Sequence, residues 1–381
     1  MRIHRFINPR GSLKDKTVLL RVDFNEPVEK RKIADSFRIQ STLPVVRDLK
    51  KRGARVVIVS HLEHRDRPIS FGPFVRQFER ILGMKIIFVK EYSQSAIRRG
   101  AQRGIVFLEN LRFHRGEETN NKVFARTLAS FADLYINEAF SVSHRPHASI
   151  VGVPHYLPSY AGPLFQKEVG RLSEVFTPRH PFLLIVGGAK FATKFELLKR
   201  FLRKADAIFV GGVLANTFLC AHDIPIGNSL YEPDAVDDIR KHFSKSQKIL
   251  LPFDVVLAKN AKAKNAFEVR GSERIRDIGP KTVLLITALA RLSKHVVWNG
   301  PLGFTENGYE TGTRMLLKNL ARLKNTRVIL GGGDTVEVLD HLHLRHRFYH
   351  VSTGGGAMLS FLGDGTLVGI EALIKSQKRL R

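Results

Sequence analysis

Arginine, histidine and asparagine recur where apolar runs end in the first half of the chain. Arg21-Val22-Asp23-Phe24-Asn25 closes the first run, and Ser60-His61 closes the second, with Arg65 and Arg67 just beyond. Glu109-Asn110-Leu111-Arg112-Phe113-His114 closes a third, and Asn137-Glu138-Ala139-Phe140 leads into Ser143-His144-Arg145-Pro146-His147. If these runs are parallel strands, His61, Arg112, Arg145 and His147 gather at one rim, with Arg38 available from the helix after the first strand. The arginine side chain is a planar fork of donors matched to phosphate and carboxylate, so such a rim fits a small, heavily anionic substrate. Each arginine taken alone reads as a solvated surface charge; their shared position at strand ends singles these out.

The second half ends its apolar runs on glycine. Phe182–Val186 stops at Gly187–Gly188, Ala207–Val210 at Gly211–Gly212, Val296–Trp298 at Asn299–Gly300, Val328–Leu330 at Gly331–Gly333, and Tyr349–Val351 shortly before Gly354–Gly356. Short apolar β-type runs read as strands buried on both faces of a parallel sheet. Glycine at the exit allows a sharp turn and a close backbone approach, and bare amides at the carboxyl ends of strands suit phosphate. Gly187-Gly188-Ala189-Lys190 lacks the spacing of a Walker loop, and no Gly-x-Gly-x-x-Gly follows the first strand, which argues against a Rossmann dinucleotide site. Asp334, just past a glycine turn, can hold Mg²⁺ beside cradled phosphates, cap the helix opening there, or do both. Lys190 and Lys194, four apart on a predicted helix, read either as like charges held by a shared anion or as two surface lysines.

Strands and helices must position these groups. Strand candidates Thr17–Phe24, Arg55–His61, Lys85–Val89, Gly104–Glu109 and Leu134–Ala139 alternate with helical spacing at Ser36–Arg52 and Lys122–Ala132, and the scheme repeats from Pro181 onward. Alternation of this kind predicts right-handed βαβ units. The expected fold class is α/β, with two doubly wound parallel-sheet (Rossmann-like) domains joined by a helix and an inter-domain cleft for ligands. Gly162–Phe176, with Leu164, Val169, Leu172 and Val175 at helical spacing, is the predicted connecting helix.

The 381 residues, 43% of them hydrophobic, suffice for two cores. No run of about eighteen apolar residues offers a membrane span, the opening Met1-Arg2-Ile3-His4-Arg5 lacks an apolar signal core, and a lone Cys220 excludes a disulfide framework or cysteine zinc site. The expectation is a cytoplasmic protein with no membrane partner. Lys and Arg number 62 against 35 Asp and Glu, a net charge of +27 spread along the chain with a small terminal cluster at Lys375, Lys378, Arg379 and Arg381. That field draws in small polyanions and binds nucleic acid loosely, or reflects a general basic bias. The lack of a nucleic-acid motif argues against specific nucleic-acid binding.

Side by side, RVDFNEP (21–27), LENLRFH (108–114), EAFSVSHRPHAS (138–149), VGGAKFATK (186–194), GGVLANTFL (211–219), DIGPKT (277–282), VVWNGPLG (296–303), GGGDT (331–335) and STGGGA (352–357) resemble the phosphoglycerate kinase family, in its order and over nearly the full length. The resemblance implies a phosphoglycerate-binding domain over 1–161 with the tail from about 366 to 381 packed back on it, a connecting hinge helix over 162–176, and a nucleotide-binding domain over 177–365. It implies a monomer that transfers a phosphoryl group in glycolysis from 1,3-bisphosphoglycerate to ADP, giving 3-phosphoglycerate and ATP, with Mg²⁺ accompanying the nucleotide. It assigns substrate binding to Asp23, Phe24, Asn25, Arg38, His61, Arg112, Arg145 and His147, with the family's loop arginine at Arg65 or Arg67. It assigns nucleotide binding to Gly187, Gly188, Lys190, Lys194, Gly211, Gly212, Asn299, Pro301, Glu306, Gly332, Gly333, Asp334 and Thr335, with Glu306 at the ribose and Asp334 at the Mg²⁺. Arg38, Lys190 and the amides of the Gly354–Gly356 turn, Gly355 and Gly356 included, act on the moving phosphoryl group. In the ATP-consuming direction the attacking group is a carboxylate, already ionised at neutral pH, so no general base is required.

The chain also departs from the family pattern. The usual Ser-His-Leu-Gly-Arg-Pro reads Ser60-His61-Leu62-Glu63-His64-Arg65-Asp66-Arg67-Pro68, which puts an acid, Glu63, near the phosphoglycerate pocket. Glu26 replaces an apolar residue, Glu138 an aspartate, Val213 the last glycine of a triplet, and Asn228 a common lysine. No principal charge carrier is lost, so activity is expected. The rivals are a non-catalytic or dual-role basic protein binding nucleic acid, and a kinase for a different small acid.

Overall fold

The computed structural model describes residues 9, 12–29, 32–258 and 262–379; the Met1–Arg5 segment and Arg381 of the terminal basic cluster lie outside them. The chain divides into two compact units, residues 1–170 with 366–381, and residues 171–365.

The first unit is built on a six-stranded sheet in the spatial order Ser159–Ala161, Leu134–Asn137, Thr17–Arg21, Arg55–Val59, Ile105–Leu108, Ile86–Val89. Every pairing is parallel. The first strand therefore lies between its successor on one side and a late strand on the other, a topological switch point. Most of the expected strands end one to three residues early, because the charged residues after them bond to loops instead of continuing the ladder. Phe24 N, for example, donates to Ser60 Oγ at 2.9 Å. The predicted helix Ser36–Arg52 is two, Phe37–Ser41 and Leu43–Lys51, parted at Thr42. Pro44 opens the second, since it has no N–H to continue the ladder of the first. One face of the sheet is packed by Phe24, Phe71, Phe78 and Phe107, with ring centroids 4.5–5.8 Å apart.

The connecting segment is the helix Pro163–Ser173 followed by a single turn, Glu174–Phe176. The buried Glu138 carboxylate accepts from Leu164 N at 2.9 Å and Phe165 N at 3.3 Å, satisfying amides that a helix start leaves orphaned. A Cβ on Gly162 would sit 1.8 Å from Glu138 Oε2, so this arrangement needs glycine there. The terminal helix Val368–Lys378 packs within the first unit, with Gly369 N donating to Ser143 O at 2.9 Å and Ser376 Oγ to Leu157 O at 3.0 Å.

The second unit has its own six-stranded parallel sheet, in the order Ile249–Leu250, Ala207–Val210, Phe182–Val186, His295–Asn299, Arg327–Gly331, His350–Val351. This is the doubly wound order 3-2-1-4-5-6, with its switch point between Phe182–Val186 and His295–Asn299. Those two strands are fully buried, as expected for a sheet covered on both faces. A small antiparallel sheet of Ala263–Asn265, Asp254–Leu257 and Ile275–Ile278 was not anticipated from the sequence. Among the described residues, no single helix is long and apolar enough to cross a membrane.

Phe107 touches all three other rings of its cluster and is fully buried. Phe107→Ala is expected to destabilise the first unit by about 3–5 kcal/mol. Hydrogen exchange checks this: protection should fall across Thr17–Arg21 and Arg55–Val59 and hold across Phe182–Val186.

Candidate functional site

Because the first sheet is parallel, the residues after Arg21, Val59, Leu108 and Asn137 emerge at one edge. Arg38, from the short Phe37–Ser41 helix, donates through Nη1 to Asp23 Oδ2 at 3.0 Å and Asn25 O at 2.9 Å. Asp23 also accepts from the Ser141 hydroxyl and from Asn25 N at 3.0 Å. Burial alone would raise its pKa, but the Arg38 charge and these hydrogen bonds outweigh it and hold Asp23 at about 2. Asp23 in turn raises the pKa of Arg38. The pair is a fixed dipole that aims a guanidinium.

His61 is 2% exposed and receives a hydrogen bond at Nδ1 from Arg21 Nη2 at 3.4 Å. Burial, then the Arg21 charge, pushes its pKa well below the usual range. The ring is neutral, and with Nδ1 accepting, its proton sits on Nε2, free to be donated. Burial and then Arg112, Arg21 and Arg145 likewise push His147 down to about 3. Arg145 is half-buried, and both imidazoles feel its charge. Arg112 is bonded through Nη1 to Glu63 and lies 3.4 Å from Glu118, while its Nε and Nη2 are buried without a hydrogen-bond partner. The structure thus brings together Asp23, Asn25, Arg38, His61, Arg112, Arg145 and His147.

The Phe24 side chain departs from expectation. The Phe24 ring is fully buried in the phenylalanine cluster, so it serves the core, and only its backbone lies at the rim. Arg65 and Arg67 are exposed on a hairpin, Glu63–His64 paired with Arg67–Pro68, whose turn residues Arg65 and Asp66 both have positive φ. Reasoning from sequence also missed Arg21 and Glu117, each 1% exposed. Arg21 Nε donates to Ser149 Oγ at 3.0 Å, Ser149 donates to Glu117 at 2.6 and 2.9 Å, and Glu117 lies 3.9 Å from His147 Nδ1. Burial lowers the pKa of Arg21 and raises that of Glu117. Together they form the floor beneath the rim. Their signal was the presence of charge inside otherwise apolar or motif segments, RVDFN and the HRGEE that follows Arg112.

In the second unit the glycine turns touch one another in sheet order. A Cβ on Gly212 would lie 2.8 Å from Gly188 N, one on Gly187 2.1 Å from Pro301 O, one on Gly300 2.5 Å from Gly187 O, and one on Gly332 2.8 Å from Gly300 N. Gly188, Gly212, Gly300 and Gly332 all have positive φ, the region glycine alone enters freely. A Cβ on Gly355 would lie 3.3 Å from Gly332 Cα, and Gly355 starts the helix Gly355–Asp364, followed by Gly356. Gly211 N bonds to Val186 O, and Asn299 O accepts from Gly187 N at 2.9 Å. The result is a continuous strip of main chain.

Lys190 and Lys194 do not share a helix as predicted. Phe191 is buried, its N–H held by Glu232 at 2.8 Å, so the chain turns there and the helix begins only at Phe195. Lys190 is exposed; Lys194 is buried, and the position of its Nζ is 3.4 Å from where a Gly188 Cβ would be. Burial, against the pull of Glu232 and Asp334, lowers the Lys194 pKa. Asp334 is exposed in the first turn of the helix Gly333–His341, whose N-cap is Gly332, so Asp334 is not itself the cap. Beside it the Thr335 hydroxyl is buried with no hydrogen-bond partner. Glu306 is exposed in the turn Thr305–Asn307. A slot behind Gly212, lined by Val213, Asn216, Leu230, Pro252 and Ile275 among others, escaped sequence reading because its walls come from the unrecognised antiparallel strands. Asn216 Oδ1 is a buried acceptor there with no partner. Among the described residues, no three His, Cys, Asp or Glu side chains cluster as a metal site.

Residues 10–365 match the family described as Phosphoglycerate kinase. A protein of that name from Orientia tsutsugamushi (strain Ikeda) is 39% identical over 388 residues, covering 95% of both chains. Another from Xanthobacter flavus is 38% identical, covering 97% of this chain and 98% of its own. Among solved structures, phosphoglycerate kinase from Coxiella burnetii aligns with a TM-score of 0.82 at 34% identity, covering 96% of this chain and 97% of its own. That from Pyrococcus horikoshii OT3 aligns with a TM-score of 0.86 at 27% identity, covering 97% and 98%.

Glu26, 3% exposed, accepts from Arg38 N at 2.7 Å. Burial, only partly offset by Arg38, raises its pKa to about 8. A carboxyl whose folded pKa lies above its unfolded value stabilises the fold in its protonated form, and that contribution is lost as pH rises toward 8. Glu26→Gln should therefore gain stability over the parent between pH 5 and pH 8, by more than about 1 kcal/mol. Thermal unfolding at several pH values checks this; a difference that stays constant with pH would refute it.

Proposed function

The chain belongs to the phosphoglycerate kinase family, and from that premise we propose a role for each surface described above. The activity of the family is phosphoryl transfer to a carboxyl acceptor, between 1,3-bisphosphoglycerate with ADP and 3-phosphoglycerate with ATP. The acceptor binds at the first-unit rim, through Arg38, Arg112, Arg145 and the neutral His61 and His147, with Asp23 and Asn25 positioning Arg38. Neutral imidazoles donate hydrogen bonds without adding to the repulsion among guanidiniums. The nucleotide phosphates lie on the glycine strip of the second unit, from Gly187–Gly188 to Gly332–Thr335, with Lys194 beneath, the base in the slot behind Gly212, and Glu306 toward the ribose.

No group at the rim needs to act as a base, because the acceptor carboxylate carries its charge at neutral pH. Catalysis is then a matter of positioning and of neutralising charge on the phosphoryl oxygens. Lys190, Arg38 and the amides at Gly355 and Gly356 supply that neutralisation, as preorganised donors do most effectively out of bulk water. The residues near Asp334 fit Mg²⁺ held mainly by phosphate. One exposed carboxylate is available beside the orphaned Thr335 hydroxyl, and Mg²⁺ commonly takes one or two carboxylates plus substrate phosphates. When bound, the ion would offset phosphate charge. We propose a cytoplasmic monomer; the lone cysteine supports the compartment. The observation that carries the proposal is the combination, in one chain, of a guanidinium-imidazole rim with a strip of interlocked glycines.

Arg38→Ala and Lys190→Ala should each reduce kcat by about two to three orders of magnitude, the usual effect of deleting one preorganised donor. Near-parental turnover in a coupled ATP-formation assay would refute the role of the residue changed. Asp334→Ala should instead raise the apparent KM for Mg²⁺-nucleotide at least about tenfold, read by titrating Mg²⁺ and ADP in the same assay.

A further inference from the structure

We propose that Glu63 is a specificity-determining residue: a resident carboxylate on Arg112 against which every incoming anion must compete. It lowers affinity for the acceptor and keeps simple anions off a rim that a chain of net charge +27 would otherwise fill. This inference rests on the proposed reading of the rim as the acceptor site.

Glu63 lies in the Ser60–Pro68 loop, where the sequence departs from the pattern of the family it resembles. It is not a loose surface acid. The N–H of Glu63 donates to Asn25 Oδ1 at 2.8 Å, tying its backbone to the residue that also accepts from Arg38. Asn110 Nδ2 bonds to Leu62 O and to Ile69 O at 2.8 Å, clamping both ends of the hairpin that presents it. The side chain, 22% exposed, reaches an Arg112 side chain that is only 7% exposed.

A guanidinium has two edges able to take an oxyanion. Glu63 occupies the Nη1 end of Arg112, while Nε and Nη2 remain buried and unpartnered. Buried donors left unmet are costly and so favour a ligand. An acceptor anion engaging this guanidinium would lie within a few ångströms of Glu63, a fixed like charge, where charges interact strongly at reduced dielectric. A ligand that also engages Arg38, Arg145 and the imidazoles can overcome this repulsion. An isolated sulfate or phosphate, with fewer contacts, is excluded more strongly. Glu118, 3.4 Å from Arg112 Nη1 but 55% exposed, is screened by solvent and contributes little.

The test is Glu63→Gln, which keeps the shape and removes the charge. KM for 3-phosphoglycerate should fall about tenfold, with a smaller change in kcat, and inorganic sulfate should bind about tenfold more tightly by calorimetry. In an Arg112→Gln background the effect of Glu63→Gln should shrink to under about twofold, because the charged partner is gone. Glu118→Gln should leave both readings within about twofold. If Glu63→Gln folds poorly, Glu63→Asp, which draws the carboxylate back, should give intermediate shifts of the same sign. The proposal is overturned by an unchanged or raised KM in a folded variant, by an undiminished effect in the Arg112→Gln background, or by tighter sulfate without a lower KM. Sulfate calorimetry does not depend on turnover. A parent enzyme without turnover therefore counts against the proposed function, whereas unchanged sulfate binding counts against Glu63.

Discussion

Along the carboxyl edge of the second sheet, main chain touches main chain. At Gly187, Gly212, Gly300 and Gly332 an added Cβ would fall within 2.8 Å of backbone atoms in a neighbouring turn. A flexible side chain could move aside from such a clash; a backbone held by sheet ladders on both sides cannot. The absence of four side chains therefore sets how closely the turns approach, and the positions of Lys194 and Asp334 follow from that approach. The contact between Gly187 and Gly300 lies at the switch point of the sheet, where helices leave in opposite directions and the edge is least covered.

The first unit achieves a comparable rigidity by a different balance. Its rim is built from charges that burial disfavours and pairing restores. Asp23 stays ionised because Arg38 and hydrogen bonds outweigh its desolvation, while His61 and His147 lose their protons because burial and the nearby guanidiniums prevail. Arg21 and Glu117, buried below, are linked through Ser149 and keep the rim from collapsing onto unpaired charge. Glu26 belongs to the same balance but sits on its unfavourable side, a carboxyl raised by burial next to a guanidinium.

Much of this was legible in the chain. Strands fully buried on both faces, such as Phe182–Val186, announce themselves as unbroken apolar runs, and the glycines and charges that follow them mark the carboxyl edge of each sheet. What could not be read depended on contacts distant in sequence. The ring of Phe24 looks like part of a binding motif, but Phe71, Phe78 and Phe107 draw it into the core. The spacing of Lys190 and Lys194 is helical, yet burial of Phe191 and the hydrogen bond its N–H donates to Glu232, forty-one positions away, delay the helix. The slot behind Gly212 is walled by short strands whose alternation is too brief to stand out from loop.

Glu138 and Gly162 carry a consequence for how this lineage can change. The longer acid reaches the start of the connecting helix only through the space that a missing methyl leaves open. Neither position is then free to drift alone: a side chain at 162 would strike the carboxylate, and shortening the acid would withdraw it from the amides it serves. Such a pair should be inherited as a block, and a descendant that loses one member would be under selection to replace the other.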